Sequence, residues 1–216
     1  MLVNSDQIIE ALIETIQMVA FSLLFSAIIG LPLGVLLVVT RKGQLLENLP
    51  VFNVLNAIIN IFRSIPFIIL MVAIIPLTRL IVGTSIGTAA AIVPLVFFAG
   101  PYIARLVENS LLEVDKGVLE AAEAMGATPF QTIFKFLIPE ALSSLVLALT
   151  IATIGLVGGS AMAGAVGGGG IGDLAITYGY QRFDTVTMLI TVAILVVLVQ
   201  GLQSFGNFLS KKIRRR

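Results

Sequence analysis

The chain has 216 residues, of which 58% are apolar and only 12% are charged, and its formal net charge is +1. Charged residues make up about a quarter of a typical soluble domain, so this composition excludes the water-soluble classes and predicts a membrane protein. The absence of His, Cys and Trp excludes zinc sites of the usual ligand type, thiol nucleophiles, disulfides and a Ser-His-Asp triad. The near-neutral charge provides no basic surface for nucleic acid.

Five segments are apolar and long enough to cross a bilayer, which requires about 20 residues of helix. Charge-free runs extend over 15–40, 80–104, 141–172 and 185–210, and a further apolar run, 48–78, is interrupted only by Arg63. Glycine is frequent from Gly158 onward, so we expect the fourth span to end there. The sequence therefore predicts an all-α membrane protein, a single transmembrane domain over 1–216, with spans at about 15–40, 51–77, 80–104, 141–158 and 185–210.

The basic residues outside the spans predict the orientation. No Lys or Arg precedes Arg41, so the basic leading region of a cleavable signal peptide is missing and we expect the first span to be retained. Arg79 and Arg182 fall on one side of the five spans, and nine basic residues fall on the other. These nine are Arg41, Lys42, Lys116, Lys135, Lys211, Lys212, Arg214, Arg215 and Arg216. Because basic loops remain in the cytoplasm, we expect a periplasmic N-terminus and a cytoplasmic C-terminus.

Residues 108–140 form the one long polar segment, which this orientation places in the cytoplasm. Four apolar residues recur in it at i, i+3, i+4 and i+7 and predict one face of a short helix. They are Val118, Ala121, Ala122 and Met125. Gly126 then stands where a C-terminal cap is expected, because glycine adopts the left-handed conformation without steric cost.

A second helix is predicted directly after this turn. Thr128 is a favourable N-cap, Pro129 suits the first helical position, and Gln131 completes a capping box. Pro139 is expected to open the fourth span. The apolar face of so short a helix pair must be covered, either by the ends of its own spans or by another protein, and the residue pattern leaves both alternatives open.

The polar segment resembles the cytoplasmic loop of binding-protein-dependent ABC importer permeases. The matching motif is E-A-A, three residues, G, twelve residues, P, and its residues here are Glu120, Ala121, Ala122, Gly126 and Pro139. Phe136 and Ile138 stand where Ile and Leu are usual, and both remain apolar. The stretch 60–87 and the glycine-rich 158–172 are similar to permeases of the methionine uptake branch of this family, including D-methionine transport.

The resemblance implies a type I ABC importer permease fold in the bacterial inner membrane. It also implies a periplasmic or lipid-anchored substrate-binding protein and two copies of a separate ATPase subunit. The segment 117–137 would be the coupling helix that contacts the ATPase. Its implied coupling residues are Glu120, Ala121, Ala122, Met125, Gly126, Ala127, Thr128, Pro129 and Pro139. Five helices scarcely enclose a path for an amino acid, so we expect the pathway at the interface of a homodimer.

The chain carries no recognisable ATP site of its own. The dipeptide Gly-Lys never occurs, which excludes a phosphate-binding P-loop and predicts that ATP is bound by the partner, with no cofactor, metal or catalytic residue here. GGGGIG at 167–172 matches G-x-G-x-x-G but follows a membrane span rather than a strand. Gly155 with Gly159, and Gly164 with Gly168, have the spacing that allows close helix packing. We interpret this region as an outer loop with close packing; a flexible gate or pathway lining is the alternative.

Arg63 is the charged residue that the spans explain least. About twelve residues after Val51, it would lie near 18 Å along a straight helix, close to the middle of the bilayer. A cation there should face protein or water, so one interpretation places Arg63, Ser64 and Pro66 along the translocation pathway. The other is structural: the guanidinium could bond to carbonyl groups freed near Pro66.

Two other functions compete with an ATP-driven importer. A secondary transporter or channel that needs no ATP is disfavoured by the odd number of spans, the absence of an inverted repeat and the scarcity of intramembrane carboxylates. A membrane scaffold without transport would leave Arg63 unexplained. An intramembrane protease is excluded because no span contains an Asp pair and the chain has no His.

Overall fold

The structure is a computed structural model that describes residues 2–214, and within that range every regular element is helical. The α-helices are α1 (Ser5–Thr40), α2 (Leu49–Ser64), α3 (Phe67–Ala73), α4 (Ile75–Val82), α5 (Thr88–Leu112), α6 (Lys116–Ala124), α7 (Pro129–Gln131), α8 (Ile138–Gly164), α9 (Gly170–Leu174) and α10 (Thr185–Arg214). Two π-helical segments, Thr132–Leu137 and Ala175–Gln181, extend α7 and α9. Arg215 and Arg216 of the C-terminal basic cluster lie outside the described residues.

The first helix is longer than the predicted span 15–40. Asn4 and Gln7 form a capping box at its start, and Asp6 lies in its first turn, where a negative charge favours the helix dipole. Its 36 residues extend over about 54 Å, well beyond the roughly 30 Å of a hydrocarbon core. Helix α1 is therefore longer than the apolar layer is thick.

The core of the molecule is the contact between α1 and α5. A stripe of small residues at every fourth position of α1 is buried, namely Ser22, Ser26, Gly30 and Gly34. A Cβ atom on Gly34 would lie 2.6 Å from the Val107 side chain of α5, so no larger residue fits there at this helix separation. Close approach of two backbones is the usual way in which membrane helices associate.

The second predicted span is wrong as a single helix. The segment 51–77 divides into α2, α3 and the start of α4, and α2 and α3 meet at an angle of 100°. Pro66 lacks an N–H and forces the preceding residue out of the helical region, and Ile65 is accordingly extended. The third predicted span, 80–104, is also displaced, because Gly83 and Gly87 adopt positive φ and delay α5 until Thr88.

The fourth predicted span ends too early at 158. Helix α8 continues to Gly164, and two of its glycines are closely packed: a Cβ on Gly159 would lie 2.8 Å from Leu95, and a Cβ on Gly164 would overlap the backbone nitrogen of Asp173. Tertiary contact here outweighs low helix propensity. The helix also begins before Pro139, since α7, the first π-helical segment and α8 follow one another without a break. Pro139 therefore lies inside a continuous helical segment rather than opening it.

Helix α10 lies at the periphery and contains the predicted span 185–210. Its buried residues are Thr187, Thr191, Gly206 and Ser210, and Ser210 exchanges a 2.8 Å hydrogen bond with Ser143 of α8. The rest of α10 presents apolar side chains outward. Within residues 2–214, four helical segments are long and apolar enough to cross a membrane, or five if the bent pair α2 and α3 counts as one span.

Candidate functional site

The turn between α6 and α7 is built from backbone hydrogen bonds. The N–H of Ala127 donates to the carbonyl of Ala122 at 3.1 Å, and the N–H of Gly126 donates to that of Glu123 at 2.9 Å. This is the Schellman pattern, with Gly126 at φ +78°. The start of α6 is capped by Asp115, whose side chain accepts from the N–H of Gly117 at 2.7 Å. Gly126 therefore terminates α6 as predicted.

The second helix of the pair begins with the predicted capping box. The N–H of Gln131 donates to Thr128 Oγ1 at 3.3 Å, and the N–H of Thr128 donates to Gln131 Oε1 at 3.0 Å. Pro129 occupies the first helical position. The two caps fix α6 and α7 relative to each other with a turn of few residues, so the pair can act as one stiff unit.

The helix pair is only partly covered by its own chain. Ala122 is fully buried, whereas Ala121 is exposed and the Met125 side chain is 68% exposed. Two aromatic residues beside them were not predicted from the sequence: Phe130 and Phe134 are 69% and 53% exposed, with ring centroids 4.4 Å apart. Their i, i+4 spacing was the available signal. The exposed apolar group of Met125, Phe130 and Phe134, the apolar patch, has no cover within residues 2–214.

The remaining predicted coupling residues surround this patch. Glu120, Pro129 and Pro139 are exposed, and Ala127 is half-buried. Inside the pair, Leu137 is buried in the same cluster as Leu111 at the end of α5. The helix pair is thus packed firmly against the base of the helical bundle on one face and open on the other.

The predicted pathway residues lie at the end of α2, beside the 100° bend. Arg63, Ser64 and Pro66 are all exposed in the single chain. Ser64 Oγ donates to the Asn60 carbonyl at 2.8 Å, so the hydroxyl of this turn bonds to one of the carbonyls near the proline. Arg63 forms no hydrogen bond or ion pair to any described residue, so the expected bond from its guanidinium to a carbonyl near Pro66 is absent from residues 2–214.

A row of polar residues on α2 was not anticipated from the sequence. Asn53, Asn56, Asn60 and Ser64 follow one another at intervals of three or four residues and share one helix face, here called the polar stripe. Arg105 of α5 donates to Asn56 and Asn60, and also forms an ion pair with Glu108. The signal lay in the asparagine spacing and in a basic residue immediately after the charge-free run 80–104.

The glycine-rich segment after α8 is held by α1. The N–H of Gly170 donates to Glu14 Oε2 at 2.7 Å, and the N–H of Ile171 donates to Thr15 Oγ1 at 2.9 Å. A carboxylate therefore occupies the position that a phosphate would need at GGGGIG. Close packing is confirmed at Gly159 and Gly164, whereas a Cβ on Gly155 would make only ordinary contact. Gly168 lies beyond the end of α8, and the atoms nearest to a Cβ there all belong to Ala163.

Comparison with known sequences gives a consistent result. A model of the family described as binding-protein-dependent transport system inner membrane component matches residues 30–215. A relative from Vibrio cholerae, named a probable D-methionine transport system permease protein MetI, is 54% identical over 213 residues, which are 99% of this chain and 95% of that protein. The Escherichia coli K12 D-methionine transport system permease protein MetI is 60% identical over 151 residues, 70% of each chain.

Comparison with solved structures supports the fold. The chain superimposes on an inward-facing form of the MetNI methionine ABC transporter with a TM-score of 0.95 and 51% identity, covering 97% of each chain. A subunit of an amino acid ABC transporter crystallised with histidines gives a TM-score of 0.79 at 20% identity, covering 98% of this chain and 100% of that one, and shows the fold alone. The chain belongs to the family of inner membrane components of binding-protein-dependent transport systems.

Proposed function

We propose that this chain is the membrane subunit of an ATP-driven importer of methionine, including its D form, that works as a homodimer with two ATPase subunits. The named relatives that match nearly the whole chain are D-methionine permeases, which supports the substrate. The observation that carries the coupling role is the apolar patch of Met125, Phe130 and Phe134, presented on a doubly capped helix pair. Exposed apolar groups of this kind, rimmed by polar residues, are typical of protein contacts.

The proposed orientation has the acidic start of α1 in the periplasm and the basic end of α10 in the cytoplasm. The distribution of basic residues supports it, because basic segments remain in the cytoplasm. The helix pair then faces the compartment that contains ATP. Closure of the ATPase subunits would push on residues 117–137, and the stiff turn at Gly126 would transmit the displacement to α5 and α8, which adjoin the pair.

The proposed pathway lies at the twofold axis between two copies. Arg63 and Ser64 at the end of α2, next to the bend at Pro66, would line it. A guanidinium without a partner among the described residues is costly against lipid but favourable beside water or a zwitterionic substrate. Rocking of rigid units about such a central site alternates access between the two sides.

The test is transport in proteoliposomes that contain this chain, its ATPase and its binding protein. We expect uptake of labelled D- and L-methionine that requires internal ATP. Unlabelled charged amino acids should compete poorly for this uptake. Vesicles that contain the permease alone are the control. Equal uptake without the ATPase would identify a secondary transporter or channel. If ATP drove the uptake of another amino acid in preference to methionine, the proposed substrate would be refuted.

A further inference from the structure

The one strongly buried carboxylate on α5 belongs to a charge cluster that the coupling motif does not include. The Glu108 side chain is 2% exposed and pairs with Arg105, which is 18% exposed and lies one turn earlier. The other Glu108 oxygen is 3.7 Å from Arg41 Nη1 at the end of α1. Burying such charges is costly unless they are paired and placed well, so their position calls for a reason beyond stability.

Arg105 also reaches across to α2. Its Nη2 donates to Asn56 Oδ1 at 2.7 Å and to Asn60 Oδ1 at 2.8 Å, while its Nη1 contacts Glu108. A planar guanidinium can bond to several acceptors at once in a fixed geometry, which a single ammonium group cannot do. Glu108 thus fixes the orientation of the Arg105 side chain on α5. The bonds to Asn56 and Asn60 then connect this side chain to the polar stripe of α2.

Helix α2 is only lightly packed. Of its sixteen residues only Ile59 is buried, in a small cluster against which Phe52 and Leu55 pack in part. The Phe62 ring lies 6.2 Å from the ring of Phe97 on α5. Among residues 2–214, the two bonds from Arg105 are the only hydrogen bonds between an α2 residue and another helix. At its far end α2 is separated from α3 by the 100° bend. A helix with so small a packed surface moves together with the element to which it is bonded most firmly.

Helix α5, in contrast, is joined to the helix pair by a short connection. Three residues separate its end at Leu112 from the start of α6 at Lys116. Leu111 and Leu137 belong to one buried cluster, and Ser144 of α8 donates to Glu113 Oε2 at 3.1 Å. A displacement of the helix pair therefore reaches the segment of α5 that carries Arg105 and Glu108 through this connection and through α8.

We propose that Arg105 is the positioning residue that links the helix pair to the pathway wall. Its hydrogen bonds to Asn56 and Asn60 make α2 move together with α5. Arg63 and Ser64, at the end of α2, move with it. Glu108 holds the guanidinium in the orientation that makes this possible. This inference rests on the proposed function, since it assigns a part in its coupling.

The test separates the link from the ion pair. The double variant N56L/N60L removes both acceptors on α2 and leaves Arg105 with Glu108. The matched control is Q203L/N207L, because Gln203 and Asn207 form an i, i+4 amide pair, 3.1 Å apart, that bonds only within α10. In proteoliposomes we expect N56L/N60L to hydrolyse ATP at a rate within about twofold of wild type but to import methionine at least tenfold more slowly. The control should keep both rates.

A second variant and a distance measurement complete the test. Arg105→Lys retains the charge opposite Glu108 but cannot hold both asparagines, and should uncouple in the same way. The chain has no cysteine, so spin labels can be placed uniquely at exposed Val54 and Leu112. The distribution of distances between the two labels should stay narrow in wild type with and without ATP. It should broaden in N56L/N60L.

The outcomes divide clearly. Coupled transport by N56L/N60L at the wild-type rate, or an equal fall of uptake and ATP hydrolysis with loss of the complex, would overturn the role given to Arg105. Failure of the wild-type complex to import methionine with ATP would instead refute the proposed function. If a variant has lost import but its distribution of label distances is no broader than in wild type, the proposed link between α5 and α2 is contradicted as well.

Discussion

Glu14 of α1 accepts a hydrogen bond from the backbone N–H of Gly170 at 2.7 Å, across 156 positions of sequence. Gly169 and Gly170 both adopt φ near +80° at this point, and a Cβ on Gly169 would lie 2.7 Å from the Glu14 carboxylate. The glycines are thus required for a backbone to approach a carboxylate this closely. The bond fixes the start of α9 on the first helix.

Replacing Glu14 with Ala should destabilise the protein by about 1.5 to 3 kcal/mol, the usual contribution of a hydrogen bond to a charged group. Glu14→Gln retains an acceptor and should lose less. Glu10→Ala is the matched control, since Glu10 is exposed on the same helix and forms no bond to any described residue. Unfolding of the purified protein in detergent measures all three. Equal stability of the Glu14→Ala and Glu10→Ala variants would contradict the prediction.

Gly34→Ala should weaken the contact between α1 and α5. The new methyl group would lie 2.6 Å from Val107, so the helices must separate, at a cost of about 1 to 3 kcal/mol. Gly201→Ala on α10 is the control, because nothing lies within 4 Å of its Cβ position, and alanine there should be neutral or mildly stabilising. Thermal unfolding compares the two, and destabilisation of both to the same extent would argue against a packing effect.

Gly126→Val should abolish association with the ATPase and leave membrane insertion intact. The Cβ position at Gly126 is open, so the effect comes from its φ of +78°, which a β-branched residue adopts only under strain. Gly126→Asn is the matched control, because Asn tolerates the left-handed region and should retain much of the binding. Co-purified ATPase per permease is the measurement, and a wild-type ratio in the Val variant would remove the docking role.

Arg63→Ala should impair uptake while the dimer is retained, because the side chain is exposed and bonds to nothing in the part of the chain that the structure describes. Arg63→Lys keeps the charge and should recover part of the rate if the charge is what matters in the pathway. Uptake kinetics and crosslinking of the dimer are measured on the same preparations. Unchanged kinetics in the Ala variant would exclude Arg63 from the pathway.

We expect the stability of the protein to depend on pH in the acid range because of Asp184, which lies in the connection before α10. The hydroxyl of Thr187 and the N–H of Leu2 bond to its carboxylate and lower its pKa from 3.8 to about 2. Because the pKa is lower in the folded state, the stabilisation is complete above pH 4 and is lost as the pH falls towards 2. Asp184→Asn keeps an acceptor for the helix cap but does not titrate, so its unfolding should depend less on pH in that window. Identical acid dependence of both proteins would contradict this assignment.

The short-range features of the helix pair were predictable from the sequence. The left-handed turn at Gly126 and the capping box of Thr128 and Gln131 depend on residues within a few positions of one another, and the structure has both. The membrane class followed from composition alone. The span 51–77 and the end at Gly158 differ from the structure for opposite reasons: the chain bends by 100° beside Pro66, whereas α8 continues past Gly158 to Gly164, where Gly159 and Gly164 are closely packed.

Long-range relationships were decided only by the tertiary structure. Arg105 lies 49 and 45 residues from Asn56 and Asn60, and nothing in their local pattern states that they meet. The same holds for Glu14 with Gly170. An apolar sequence determines that its helices enter a membrane, because that depends on summed transfer energies. Which faces then meet depends on small-residue packing and a few buried polar bonds, whose partners are distant in the chain and become neighbours only in the assembled bundle.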